Sequence, residues 1–153
     1  MVIQVNNLEE TEGLGRKLGA MLFPGAVIAL IGQLGAGKTH FTRAIAEGLG
    51  VRNPASVNSP TFVLIQEYPA RLPIYHFDAY RLKTSREFAE LGAEEYFRGD
   101  GVCIVEWADR VPDSMPEERL EIAIRITGET ARLFEVSAFG NAYEALIQNW
   151  NGV

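Results

Sequence analysis

Three observations predict an α/β fold in which a mixed central β-sheet is flanked by helices in three layers. An apolar run at residues 26–31 leads through a glycine-rich stretch into a helix-forming segment. A second apolar run, "GVCIVEW" at 101–107, reads as another buried strand. Alternating segments elsewhere supply antiparallel additions, so buried and half-exposed strands coexist with helices in one chain.

The elements follow in order. "VIQV" near the N-terminus is a short strand, and residues 9–22 have helical spacing, with Leu14, Leu18 and Leu22 on one face. Pro24-Gly25 is a turn before the buried strand at 26–31. Residues 32–37 form a loop, and residues 38–49 a helix ended by Gly50. "FVLIQEY" and "LPIYHFDAY" are two strands separated by the turn-prone "PAR". Residues 84–98 read as one helix, capped by Thr84 or Ser85 and stopped by Gly99. "RLEIAIRIT" and "TARLFEVSAF" alternate as a hairpin around Gly128-Glu129, and residues 141–150 close the chain as a helix.

A chain of 153 residues, 47% hydrophobic and 22% charged, fits a single domain, 1–153, with a sizeable core. The first twenty residues hold acidic groups and no apolar stretch of the secretory kind. The longest apolar run, 20–31, is broken by Pro24-Gly25 and falls short of the roughly 20 residues that cross a bilayer. A cytoplasmic location without membrane contact is expected. The single cysteine, Cys103, sits in a strand and reads as a buried structural thiol, which excludes a disulfide framework. Net charge is −6, with 11 Arg and 3 Lys thinly spread, so no basic stripe marks a nucleic-acid footprint. RNA, if involved, is reached through a partner.

"GQLGAGKT" at 32–39 matches G-x-x-x-x-G-K-[ST] in full, a chance event on the order of one in a hundred for a chain of this length. It follows a buried strand and opens a helix, as the chemistry needs. Gly32, Gly35 and Gly37 let successive N–H groups converge on an anion. The helix beginning near Lys38 adds unsatisfied N–H groups and the positive end of its dipole. Lys38 would reach the β- and γ-phosphates, and the Thr39 hydroxyl would ligate Mg²⁺. The fold expected is therefore P-loop NTPase-like.

Such a loop needs a second acid near the metal. Glu106 ends the buried run "VCIVE", and Asp78 lies in "YHFDAYR", where alternation puts His76, Asp78 and Tyr80 on one face. His76 alone reads as a structural histidine. In "VNSPTF", Ser59 and Thr61 flank Pro60 between the loop's helix and the next strand, where nucleotide switches place a γ-phosphate sensor.

Taken together, "GQLGAGKT", "SPTF", "HFDAYR" and "VEW", in this order and spacing, closely resemble the TsaE (YjeE) family, over almost the whole chain. The resemblance implies a cytoplasmic protein that binds and slowly hydrolyses ATP with Mg²⁺. It implies action with TsaB and TsaD in threonylcarbamoyladenosine modification of the anticodon-adjacent adenosine of tRNAs reading codons that begin with A, with tRNA reached through that complex. Carried over, Gly32, Gln33, Leu34, Gly35, Ala36, Gly37, Lys38, Thr39 and His40 would bind nucleotide, and Thr39 with Glu106 would hold Mg²⁺. Lys38, Glu106 and Asp78 would serve catalysis, with Tyr80 and Arg81 completing the Asp78 motif and Trp107 following the acid. Ser59 and Thr61 would form the switch-like element, and Thr11 matches a threonine at the nucleotide edge. Gln33, His40 and Ala79 depart from the family's usual residues. Two other readings compete: a P-loop small-molecule kinase, and a GTP-dependent switch, which lacks here the guanine-reading N-K-x-D pattern.

Overall fold

Residues Val27–Ile31 (β2) form the buried centre of a seven-stranded sheet. The computed structural model describes residues 1–60 and 64–151 of the chain. The other strands are Val2–Val5 (β1), Ile65–Tyr68 (β3), Ile74–Asp78 (β4), Val102–Glu106 (β5), Arg119–Ile126 (β6) and Arg132–Phe139 (β7). Their order is β1-β7-β6-β2-β5-β4-β3. β2 runs parallel to both β5 and β6, and β4 parallel to β5, whereas β1–β7, β6–β7 and β3–β4 are antiparallel. The sheet is therefore mixed, with its parallel strands at the centre.

Strand alternation divides the apolar residues between two layers. Ile28 and Leu30 of β2 and Val102 and Ile104 of β5 face the helices Leu8–Met21 (α1), Lys38–Gly48 (α2) and Asn141–Asn151 (α5). Val27, Ala29, Cys103 and Val105 face the short helices Ser85–Glu90 (α3) and Ala93–Phe97 (α4). Both faces of β2 and β5 are covered, which is why these strands read as continuous apolar runs. Phe41 of α2 stacks on Phe134 of β7 with ring centroids 4.9 Å apart, both fully buried. Burial of each such side chain contributes about 1.5–3 kcal/mol and seats α2 on the sheet.

Local chemistry sets the helix ends. The Asn7 side chain accepts the Glu10 N–H at the start of α1, and Thr84 accepts the Glu87 N–H at the start of α3. The single helix expected over 84–98 is instead two, because Gly92 takes a left-handed φ of 80° and the Gly92 N–H closes a turn onto Ala89. Of the strand read as "FVLIQEY", Ile65–Tyr68 is strand, Leu64 precedes it as a bend with a left-handed φ of 67°, and Phe62 and Val63 lie outside the described residues. β4 ends at Asp78, so Tyr80 lies in the following turn rather than on the strand face shared by His76 and Asp78.

Candidate functional site

The chain leaves β2 at its C-terminal edge, makes the glycine loop at 32–37 and enters α2 at Lys38. Gly35 and Gly37 have φ of 83° and 100°, and a Cβ on either would meet nothing within 4 Å. Glycine is required there by backbone conformation. At Gly32 the reason is space, since a Cβ would come within 2.8 Å of the Ile124 carbonyl oxygen on β6.

An open cleft of about 460 Å³ lies over the loop. Leu34, Gly35, Gly37, Lys38, Thr39 and His40 line one side, and Ser59, Asp78, Tyr80, Glu106 and Trp107 the other. The topology explains the pairing: β4 and β5 are parallel neighbours with Asp78 opposite Glu106, and both carboxylates emerge at the strand ends beside the loop from β2. Both are at least 95% buried. Thr39 Oγ1 donates to the Glu106 carboxylate, 2.9 Å from Oε1 and 3.1 Å from Oε2.

His76, read from sequence as structural, does not line the cleft but supports one of the residues that do. It is fully buried, and its Nε2–H donates to Glu106 Oε2, fixing the carboxylate toward Thr39. Its Nδ1 is buried without a hydrogen-bond partner among the described residues. Strand alternation with Asp78 placed His76 on this face of the sheet but did not name Glu106 as its partner. Asp78 accepts the Tyr80 N–H at 2.9 Å through Oδ1 and the Ser59 hydroxyl through Oδ2. Arg43 of α2 donates to the Val57 carbonyl at 2.9 and 3.1 Å and holds the segment that carries Ser59. Thr61 lies outside the described residues.

Lys38 is almost buried, and its Nζ donates to the carbonyls of Gly32 and Gln33. The same ammonium sits 3.9 Å from the centroid of the Trp107 ring. Burial lowers its pKa below the usual lysine value, opposed by the carboxylates of Glu106, Asp109 and Asp78. Trp107 has a left-handed φ of 60°, which costs a non-glycine residue about 1–3 kcal/mol and turns the chain sharply out of β5. Its ring also lies 4.9 Å from that of Tyr80, with the Arg110 guanidinium over both.

Three sequence-derived positions lie farther out. Thr11 is buried in the first turn of α1, where its hydroxyl donates to the Asn7 carbonyl at 3.4 Å; it is not among the residues lining the cleft. Arg81 is exposed beyond Tyr80. Gln33 is exposed on the loop, with its carbonyl engaged by Lys38. His40 lines the cleft and approaches Glu12 of α1 at 3.4 Å.

The donor set suits a small hard cation. A hydroxyl and a carboxylate already share a hydrogen bond, and a second carboxylate stands on the neighbouring strand. Among the described residues no three His, Cys, Asp or Glu side chains converge as a closed metal cage. A divalent ion held there would take the rest of its shell from phosphate and water, the usual habit of Mg²⁺.

A parallel strand, a glycine loop opening a helix with Lys and Thr, and a buried carboxylate at the end of the next strand define a P-loop α/β protein. A model of "Threonylcarbamoyl adenosine biosynthesis protein TsaE" matches residues 5–134. The chain is 47% identical over 143 residues to the tRNA threonylcarbamoyladenosine biosynthesis protein TsaE of Bacillus subtilis, covering 93% of this chain and 88% of the relative. It is 39% identical to the protein of that name from Treponema pallidum, covering 84% of this chain and 94% of the relative. The crystal structure of YdiB from Bacillus subtilis is similar, with a TM-score of 0.83 at 39% identity over 99% of this chain and 94% of that one. The chain therefore belongs to the TsaE family of threonylcarbamoyl adenosine biosynthesis. No helix of the described residues is long and apolar enough to cross a membrane.

Proposed function

We propose that this chain is a Mg²⁺-dependent ATPase of the cytoplasm that serves threonylcarbamoyladenosine modification of the anticodon-adjacent adenosine in tRNAs reading codons that begin with A. It works with TsaB and TsaD and meets tRNA through them. The observation that carries the nucleotide half is the Thr39–Glu106 hydrogen bond, which joins the start of the loop's helix to the acid at the end of β5. The tRNA half rests on family membership and on the names of the relatives.

In this reading the loop N–H groups and the start of α2 bind the phosphates. Lys38 exchanges its carbonyl partners for phosphate oxygens, and Trp107 covers its other side. Thr39 and Glu106 hold Mg²⁺, which neutralises charge on the β- and γ-phosphates. His76 keeps the Glu106 carboxylate aimed at Thr39. Asp78, ordered by Ser59 and the Tyr80 N–H, faces the phosphate end and orients water there.

The kinase alternative calls for arginines closed over both substrates, whereas no arginine lines the cleft among the described residues, and Arg86 and Arg98 stand exposed on α3 and at the end of α4. The deciding experiment is reconstituted tRNA modification with TsaB, TsaD and threonylcarbamoyl donor, followed over many turnovers with and without this chain. Multiple turnover should need the chain and ATP; equal yields without it would refute the function.

A further inference from the structure

Arg132, the first residue of β7, was not singled out in the sequence, yet it reaches the glycine loop from behind. Its Nε donates to the Ala36 carbonyl at 2.9 Å and its Nη2 to the Gly35 carbonyl at 3.3 Å. Nη1 donates to the carbonyls of Gly128, Glu129 and Ala131 at 3.1, 3.3 and 2.8 Å, so the guanidinium is itself fixed by the β6–β7 turn. It forms no ion pair with a carboxylate among the described residues.

The loop needs such a tie. Gly35 and Gly37 are glycines for conformation alone, and each loses more freedom than any other residue when the loop orders. If the loop N–H groups point at an anion, its carbonyls must point elsewhere and find donors. Lys38 serves the carbonyls of Gly32 and Gln33, and Arg132 those of Gly35 and Ala36. Lys38 gives up its two when it turns to phosphate, whereas Arg132, held in the turn, keeps its own.

We propose that Arg132 is a positioning residue that pins the phosphate loop to the β6–β7 hairpin and sets the loop's affinity for polyphosphate without touching the nucleotide. This rests on the reading that the loop binds ATP. The test is calorimetric titration of the full chain with Mg-ATP and with inorganic tripolyphosphate, which occupies the loop but has no base. Arg132→Ala should weaken both about tenfold, the worth of one charge-assisted hydrogen bond. It should raise KM for ATP while kcat at saturation stays near wild type. Arg125→Gln, which breaks an ion pair with Glu135 on the same hairpin, should leave both affinities unchanged. If Arg132→Ala does not fold, Arg132→Gln takes its place with the same expectations.

Unchanged affinity for both probes would show an arginine that merely caps the turn and would overturn the proposal. Loss for ATP with normal tripolyphosphate binding would also overturn it, by placing Arg132 on the base. Wild-type protein that binds neither probe would overturn the nucleotide reading itself; normal wild-type binding with an unaltered variant would overturn this inference alone.

Discussion

At the scale of single residues, the polar groups of the site form two hydrogen-bonded sets, Thr39 with Glu106 and His76, and Ser59 with Asp78. Glu106 was legible in the sequence because an acid closing an apolar run has a restricted set of explanations. His76 was not, because strand alternation places a side chain on a face without saying what it meets across the sheet. Its partner depends on β4 and β5 being neighbours. Cys103, by contrast, behaves as its sequence context suggested: it is fully buried, and burial pushes its pKa up to about 12. The unfolded thiol ionises near 9.0, so between that pH and about 12 the unfolded chain holds fewer protons than the native one. Stability from this group is complete below pH 9 and falls as pH rises through that window. Urea denaturation at pH 8 and pH 10.5 should show a smaller alkaline loss for Cys103→Ala than for wild type. Equal losses would contradict the assignment.

At the scale of elements, α2 carries Lys38 and Thr39 and must sit in one place. The amphipathic spacing of α1 predicted its apolar face, but not that small residues bring α1 and α2 into backbone contact. A Cβ on Gly19 would lie 2.1 Å from the Ile45 carbonyl oxygen, and one on Gly48 2.1 Å from that of Arg16. Gly19→Ala should therefore force the helices apart and destabilise the protein by about 1–3 kcal/mol, read as a lower urea midpoint. An unshifted midpoint would show that the contact yields freely. The helix expected over 84–98 failed for a different reason, backbone conformation rather than close contact, since a Cβ on Gly92 would meet nothing within 4 Å. Leu91 and Gly92 fall inside a helical pattern, and only the left-handed turn at Gly92 reveals that α4 starts afresh.

At the scale of the whole molecule, the mixed sheet and its two covering layers were legible from the buried runs of β2 and β5 and from the β6–β7 alternation. The strand order was not. Nothing local in β6 says that it joins β2 on the side opposite β5, yet that placement brings the hairpin and Arg132 behind the loop. The same order puts β5 and β4 on the other side, so that Glu106 and Asp78 face the loop's helix together. The central claim is that this convergence makes a Mg-ATP site. Its most direct measurement is ATP turnover with and without Mg²⁺ by wild type, Lys38→Ala and Glu106→Gln, in the presence of TsaB and TsaD. Mg²⁺-dependent turnover by wild type, reduced at least about 100-fold in both variants while their folds survive, is the predicted result. Undiminished turnover in either variant, or turnover indifferent to Mg²⁺, would contradict it.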